Sequence, residues 1–572
     1  MSFLEVSKFL SIFDKKQKKE LYLLLILIVV AMLLEVFSIG LIIPVMMSIL
    51  NQDFTALIPF AQPIIEYFES YSNKNLIIFT SLALVSSYFL KNLYLLFFLK
   101  VEGKYLAKIE RKIKSELFKK YISHKHYNFF KLNSSKLISN ITVDIPIVVT
   151  AIRSLLTFLA EGAIAIGIFA LLFFFEPLMM LFNFILILIG LFFFYVYSKE
   201  KVKDISYRRK KFTDDLFLTL NNSFDSIKEI NVFDKNDFFQ KVFDKSNYEI
   251  YRINKKFHVI QGLPKIFYEF IGVFMLMILI VIMTISFKDT NSMLSFLALA
   301  GASAFRLIPS ANRILNTYQY LGYAQKSVQV IKDEFKKDVT EEKQNKKIVS
   351  FENDIIFKDV SFKYNTRNDY VLKDINFKLK KPDKVLLYGE TGAGKSTFVE
   401  ILLGLLKPTN GRVEVESKDV NLNFKEWTKH IGYIPQKVTL IDGSLISNIA
   451  FGVEKAKINK ELLGEAVKLA ELNKFINTLP YGLDTNVGES GSKLSGGQIQ
   501  RIGIARAIYR NPEILILDEA TNALDEDTEQ KVISNLLTKY KDKIMICISH
   551  NKTLLGKIDN KFKIENAQLI SI

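Results

Sequence analysis

Gly389-Glu390-Thr391-Gly392-Ala393-Gly394-Lys395-Ser396 follows the apolar run KVLLY (384–388) and leads into TFVEILLGLL (397–406). A strand, a glycine-rich turn and a helix in that order form a phosphate cradle. Glycines let backbone N–H groups close around phosphate oxygens, Lys395 reaches the outer phosphates, Ser396 offers a hydroxyl to a magnesium ion, and Thr397 opens the helix. Downstream, ILILDE (514–519) predicts a buried strand ending in two carboxylates. Asp518 is placed to help hold magnesium and Glu519 to polarise an attacking water. LSGGQ (494–498) opens a second helix, whose N-terminal amides make another phosphate-binding end. The second half of the chain therefore predicts a soluble α/β P-loop domain.

The first half has a different solvent. Its long uncharged runs of Leu and Phe predict six spans of about 20 residues, the length needed to cross a bilayer core. They lie near residues 21–43, 76–99, 155–175, 178–197, 266–287 and 293–318, with only Glu176-Pro177 between the third and fourth. Lys and Arg crowd 100–153 and 199–265, as in KIERKIKSELFKK (108–120) and YRRKKF (207–212), whereas 51–75 and 286–292 carry one Lys each. This asymmetry predicts both termini in the cytoplasm. The two basic segments are too long and periodic for loops and read as helices continuing beyond the membrane. FTALIPFAQPIIEYFESYSNK (54–74) reads as either a short surface helix or a packed external loop. KKDVTEEKQNKK (336–347) can bury almost nothing and marks a linker. The expected domains are 1–331, a linker at 332–350, and 351–572.

The net charge of +17 raises nucleic acid as a partner. Its concentration in particular loops, without interleaved aromatics, speaks against that. Cys547, the one cysteine, sits in the apolar run KIMICIS and reads as a buried strand residue, excluding disulfides and thiolate clusters within the chain. No small-residue cleavage pattern follows the basic N-terminus, so the Leu21 stretch reads as a span and not a removable signal.

The P-loop, LSGGQ, LILDEATNALD (515–525) and ISH (548–550) together resemble the ABC transporter ATPase domain over about residues 352–565. That resemblance implies two ATPase domains paired head to tail, with ATP clamped between the P-loop of one chain and Ser495, Gly497 and Gln498 of another. A homodimer follows. It also implies adenine stacking on Tyr364, a sensor role and magnesium contact for Gln436, coupling of the two sites through Asp525, and γ-phosphate contact by His550. The implied ligands are ATP and Mg2+. An intact Glu519 and LSGGQ imply two equivalent, hydrolysing sites.

The membrane half resembles the six-helix ABC exporter domain. YNFFKLNSSKLISNITVD (127–144) matches the first cytoplasmic coupling segment, with Ser135 where glycine is usual, and FDSIKEINVFDKNDFF (224–239) matches the second. Lys91, Lys265, Arg306 and Arg313 lie in or beside spans, where charge is costly and marks either a substrate path or an internal ion pair. Taken as a path they predict an anionic head group; taken as pairs they predict partners among Glu35, Glu161 and Glu269. FRLIPSANRILNTYQYL (305–321) resembles the corresponding segment of the bacterial flippases for lipid-linked oligosaccharides. That implies an undecaprenyl-pyrophosphate-linked glycan as substrate and a bacterial inner-membrane location. Lys265 stands where that family has arginine, a different phosphate geometry. Export of a lipid, peptide or drug uses the same engine, although no peptidase-like stretch precedes the first span. A soluble ATPase is excluded by six spans, and a regulated channel would be revealed by uncoupled conductance.

Overall fold

The structure, a computed structural model, describes residues 14–49, 73–123, 133–175, 177–286, 290–337, 354–364, 369–549, 556 and 558–572. The described residues divide into two compact units, one within 14–337 and one within 354–572.

The first unit is helical among its described residues. Asp14 caps α1 (Lys15–Gly40), accepting from the Gln17 N–H while the Gln17 side chain accepts from the Asp14 N–H. Such reciprocal caps satisfy helix-end donors. Next come α2 (Ile42–Ile49), α3 (Asn73–Ile122) and α4 (Ser134–Ser139), then a π-helical turn at Asn140–Asp144. The π-turn runs directly into α5 (Ile145–Phe175), followed by α6 (Pro177–Asp225), α7 (Ile227–Val232), α8 (Asn236–Ser286) and α9 (Thr290–Lys336). Residues 332–336, read above as linker, are thus helical. The segment at 54–68 lies outside the described residues.

At 1.5 Å per residue, the 50 residues of α3 extend about 75 Å, against a hydrocarbon core of about 30 Å. α6, α8 and α9 are of similar length, at 49, 51 and 47 residues. Each of these helices is longer than a hydrocarbon core is thick. Three helical stretches among the described residues are long and apolar enough to cross a membrane: Lys15–Met46, Lys74–Ile122 and Ser134–Phe173. Leu82, Val85, Phe89, Leu93 and Leu96 point outward from α3, an apolar face suited to lipid.

Where the helices pack on one another, the pattern changes. Leu24 and Ile28 of α1, Ile109 and Leu117 of α3, Ile145 and Ile152 of α5, and Leu321, Val328 and Ile331 of α9 share one core. Val202 and Ile205 of α6 meet Ile253 and Phe257 of α8 in a second.

The second unit contains two sheets. β1 (Ile355–Phe362), β2 (Leu372–Leu379), β4 (Asn410–Val415) and β5 (Lys418–Asp419) form an antiparallel sheet in the order β2-β1-β4-β5. β3 (Lys384–Tyr388), β6 (Ile431–Ile434), β7 (Ile514–Asp518), β8 (Ile544–Ile548), β9 (Asn560–Glu565) and β10 (Gln568–Ser571) form the other, ordered β10-β9-β3-β8-β7-β6. Its pairs are parallel except at the β9–β10 edge.

β7 and β8 are buried throughout, matching their continuous apolar sequences. Cys547 is fully buried in β8, as its setting predicted, and burial pushes its thiol up to about 12. Helix α10 (Lys395–Leu402) follows β3, and Trp427 is fully buried with its indole N–H donating to the Leu402 carbonyl at 2.7 Å. Its further helices include α11 (Leu445–Ile449), α12 (Lys460–Leu469), α13 (Gly496–Tyr509) and α14 (Glu526–Lys539). The parallel strands β3, β7 and β8 deliver the P-loop, the carboxylate pair and Ser549 to one edge of the sheet, where open α/β sheets bind ligands.

Candidate functional site

Gly394 ends the P-loop at φ +106° and precedes α10; a Cβ there would stand 3.0 Å from the Val371 carbonyl oxygen. Only glycine takes this backbone without strain. Lys395, the first residue of α10, is buried and curls back over the loop. Its Nζ donates to the carbonyls of Gly389 (2.6 Å) and Glu390 (3.0 Å). An ammonium held by carbonyls inside a ring of amides can transfer to a phosphate with little rearrangement. Glu390, Thr391, Gly392 and Ser396 are exposed, whereas Ala393 packs partly against the core. Tyr364 stands beside this loop, its hydroxyl 3.1 Å from Thr397 Oγ1 and its ring edge-on to Phe362.

Asp518 ends β7 in a buried position, and Tyr433 donates to its Oδ2 at 3.2 Å. Burial raises its carboxyl above the ordinary range, with the adjacent Glu519 charge acting in the same direction. A divalent cation would reverse that balance. Glu519 leaves the strand at φ +50°, unusual for a residue with a side chain, and its N–H is tied to the Ile548 carbonyl at 3.0 Å. This kink turns the carboxylate outward, where Oε2 accepts from Gln436 Nε2 (2.7 Å) and Asn522 Nδ2 (3.1 Å). The expected pair of Gln436 and Glu519 is thus in direct contact. Asn522 was not singled out from sequence, although its place in TNALD, three residues after Glu519, was the available signal.

Ser495 caps α13. Its Oγ accepts from the Gln498 N–H, while Gln498 Oε1 accepts from the Ser495 N–H. Gln498, expected to meet nucleotide, therefore uses its amide oxygen in the cap. Gln500 joins this helix to the carboxylate loop by accepting from the Ala523 N–H at 2.9 Å, a second residue that sequence reading missed. Asp525 caps α14, and hydrogen bonds from Thr528 hold its carboxyl below the usual range. His550 lies outside the described residues.

A Cβ on Gly497 would stand 2.9 Å from the Ala523 carbonyl oxygen, but one on Gly496 meets only the Ala523 methyl at 3.6 Å. Overpacking at a fixed backbone costs about 1–3 kcal/mol. Gly497→Ala is therefore expected to lower the melting temperature by several degrees and to lower ATP turnover about tenfold or more, and Gly496→Ala to do less of both. Equal rates for the two, measured by phosphate release, would overturn the steric argument.

In the helical unit, three of the four expected substrate-binding cations meet. Arg306 donates from Nε to Glu35 Oε1 (2.6 Å) and from Nη1 to Ser310 Oγ (2.8 Å), and pairs with Glu161 Oε2 (3.2 Å). Arg313 pairs with Glu161 Oε1 at 2.7 Å, and Lys91 with Glu35 Oε2 at 3.3 Å while lying over the Tyr88 ring. Lys265 stands apart beside Glu269 at 3.9 Å, both well exposed. Ion pairing therefore accounts for all four positions in this conformation. The cluster itself sets three cations against two carboxylates and carries one positive charge in excess.

A P-loop, an acidic strand end with its glutamine, and a capped LSGGQ helix on one α/β unit define an ABC-type ATPase domain. Residues 372–522 match the family described as ABC transporter, and residues 21–302 match the ABC transporter transmembrane region. The chain belongs to the ABC transporter family: an integral-membrane transporter domain fused to an ATP-binding domain. Its fold is similar to a bacterial Atm1-family ABC exporter solved with ATP bound, at TM-score 0.80 and 19% identity, covering 97% of this chain and 95% of that one. It is 33% identical over 219 residues to an ATP-dependent lipid A-core flippase of Ralstonia nicotianae, covering 38% of this chain and 37% of the relative. It is 34% identical over 229 residues to an ABC multidrug transporter of Aspergillus fumigatus, covering 40% of this chain and 17% of that protein. The chain thus matches well under half the length of these relatives.

Proposed function

We propose that two copies of this chain form an ATP-driven flippase in a bacterial inner membrane, with six spans per chain and both termini cytoplasmic. Its substrate is a lipid-linked oligosaccharide, an undecaprenyl-pyrophosphate glycan. ATP binds the P-loop of one copy and the LSGGQ helix of the other. Ser396, Asp518 and Gln436 offer the hard oxygen donors that Mg2+ prefers, and that ion supplies charge neutralisation at the phosphates. Glu519 orients and deprotonates the attacking water, and Lys395 steadies the outer phosphates. Closure of the paired ATPase domains then shifts the membrane helices toward an outward-open population.

The observation that carries the choice of cargo is the cluster of Lys91, Arg306 and Arg313, whose cations outnumber Glu35 and Glu161. A diphosphate group can compete for cations that share two carboxylates among three, and guanidinium forks suit phosphate geometry. The second reading is an amphipathic lipid, peptide or drug, in keeping with the lipid A-core flippase and the multidrug transporter among the similar proteins. Reconstituted protein given a fluorescent polyprenyl-pyrophosphate oligosaccharide, a peptide and a phospholipid separates these readings. ATP-dependent movement of the peptide or phospholipid alone would end the oligosaccharide proposal.

Removing Arg306 takes one partner from each of two buried carboxylates, leaving Glu35 with Lys91 and Glu161 with Arg313 and Ser310, so helix packing and cargo binding would change together. The half-exposed Arg313 is the cleaner test. Arg313→Ala is expected to cut flipping of the pyrophosphate probe about tenfold and leave basal ATP hydrolysis within twofold. Unchanged flipping removes the diphosphate role.

A further inference from the structure

A second charge cluster lies in the helical unit, distinct from the one assigned to cargo. Lys210 of α6 is buried, and its Nζ donates to Asp144 Oδ2 (2.6 Å), Asp214 Oδ1 (2.6 Å) and Asn140 Oδ1 (2.9 Å). Next to it, Arg209 Nη2 donates to Ser327 Oγ of α9 at 2.5 Å, and Ser327 donates in turn to Asp144 Oδ1. Asn140 donates to the Tyr121 hydroxyl of α3 at 2.9 Å, and Ser139 donates to Asp214. Asp144 is wholly buried, and Arg209 and Lys210 nearly so. Two cations and two carboxylates thus tie together α3, the α4–α5 junction, α6 and α9.

The backbone there is equally distinctive. Asn140–Asp144 is a π-turn, closed by the Ile145 N–H donating to the Asn140 carbonyl. A π-turn spaces donors and acceptors five residues apart, is rare, and is concentrated at functional positions. Here it brings Ser139, Asn140 and Asp144 around one ammonium. Burying four charges is an inefficient way to hold helices together, since apolar side chains of similar volume do so at least as well. What an ionic core does supply is a single permitted register among the elements it joins.

The π-turn is the last part of the stretch 127–144 that resembles a coupling segment. In that stretch Ser135, at the position where glycine is usual, is buried, and its hydroxyl accepts from Asn221 Nδ2 of α6 at 2.7 Å. This departure from the family pattern adds another tie between the same two elements.

We propose that Lys210 is a positioning residue for coupling: it locks the π-turn, α6 and α9 into one body, so that nucleotide-driven movement of the 134–144 segment reaches α9 undiminished. This rests on the transporter reading, and the test below separates the two. Full-length dimer in nanodiscs is compared by hydrogen exchange without nucleotide and after trapping with MgATP and vanadate, which needs no cargo. In the parent, protection of 134–147, 205–215 and 320–330 changes together.

In Lys210→Met, exchange at 134–147 rises at least tenfold and the three segments respond independently, while basal ATP hydrolysis stays within twofold. Lys210→Arg, which keeps the charge, restores the joint response in part. With the polyprenyl-pyrophosphate probe, ATP consumed per molecule flipped rises at least fivefold in Lys210→Met. A joint response in Lys210→Met like that of the parent overturns the proposal. Should Lys210→Met not fold, Asp214→Asn, which removes the more exposed carboxylate, decides by the same criterion. A parent that flips no probe counts against the cargo assignment alone, because the exchange comparison stands without it.

Discussion

The Glu519→Gln protein is expected to bind MgATP as tightly as the parent and to hydrolyse it at least about a hundredfold more slowly, the usual loss when a positioned base is removed. The geometry makes this a clean substitution. Glu519 is aimed by its backbone kink at φ +50° and by donors from Gln436 and Asn522. A glutamine side chain has the same shape and keeps an oxygen for one of those donors, so the local structure survives. It cannot take a proton from water. Nucleotide should therefore accumulate unhydrolysed, seen as retained ATP on the purified protein together with absent phosphate release. Hydrolysis at the parental rate would remove Glu519 from the chemistry.

Lys395→Ala should fail one step earlier. Nζ is buried and already oriented by two loop carbonyls, so its interaction with phosphate requires little reordering. Hydrogen bonds to charged groups contribute about 1.5–3 kcal/mol each, which converts to a loss of about 10-fold to 150-fold in ATP affinity for one such bond. Adenosine, which lacks the phosphates, serves as the control and should bind the parent and the variant alike. If ATP affinity is unchanged by calorimetric titration, the loop does not cradle phosphate as argued.

Local order was the most legible part of the chain. The strand–loop–helix at 384–402, the buried strand at 514–518 and the long basic helices all follow from patterns within a few turns of chain. Pairing across long separations was legible only as one of two alternatives: Glu35, Glu161 and Glu269 could be named as partners of the span cations, and they are, but not preferred over a cargo role. Glu35 lies 271 residues from Arg306, and periodicity cannot tell an ion pair from a cargo site when both demand a charge in an apolar span. Asn522 and Gln500 are ordinary polar residues in sequence and acquire roles only because the turn after β7 meets α13. The π-turn was invisible because its residues have no propensity distinguishing it from α-helix. The reading of 332–336 as linker failed for a related reason. Lys332, Asp333 and Lys336 look like a charge run, but Ile331 and Glu334 are buried on the inner face of a continuing helix.

The length of α3 has a mechanical consequence. With about 30 Å of a 75 Å rod held in hydrocarbon, about 45 Å projects as a stiff arm. A tilt of about 10° at the bilayer surface then displaces the far tip by about 8 Å, more than one helical turn. The fulcrum is set by the thickness of the lipid. A thinner or thicker bilayer would therefore change the length of the projecting arm without altering a single residue.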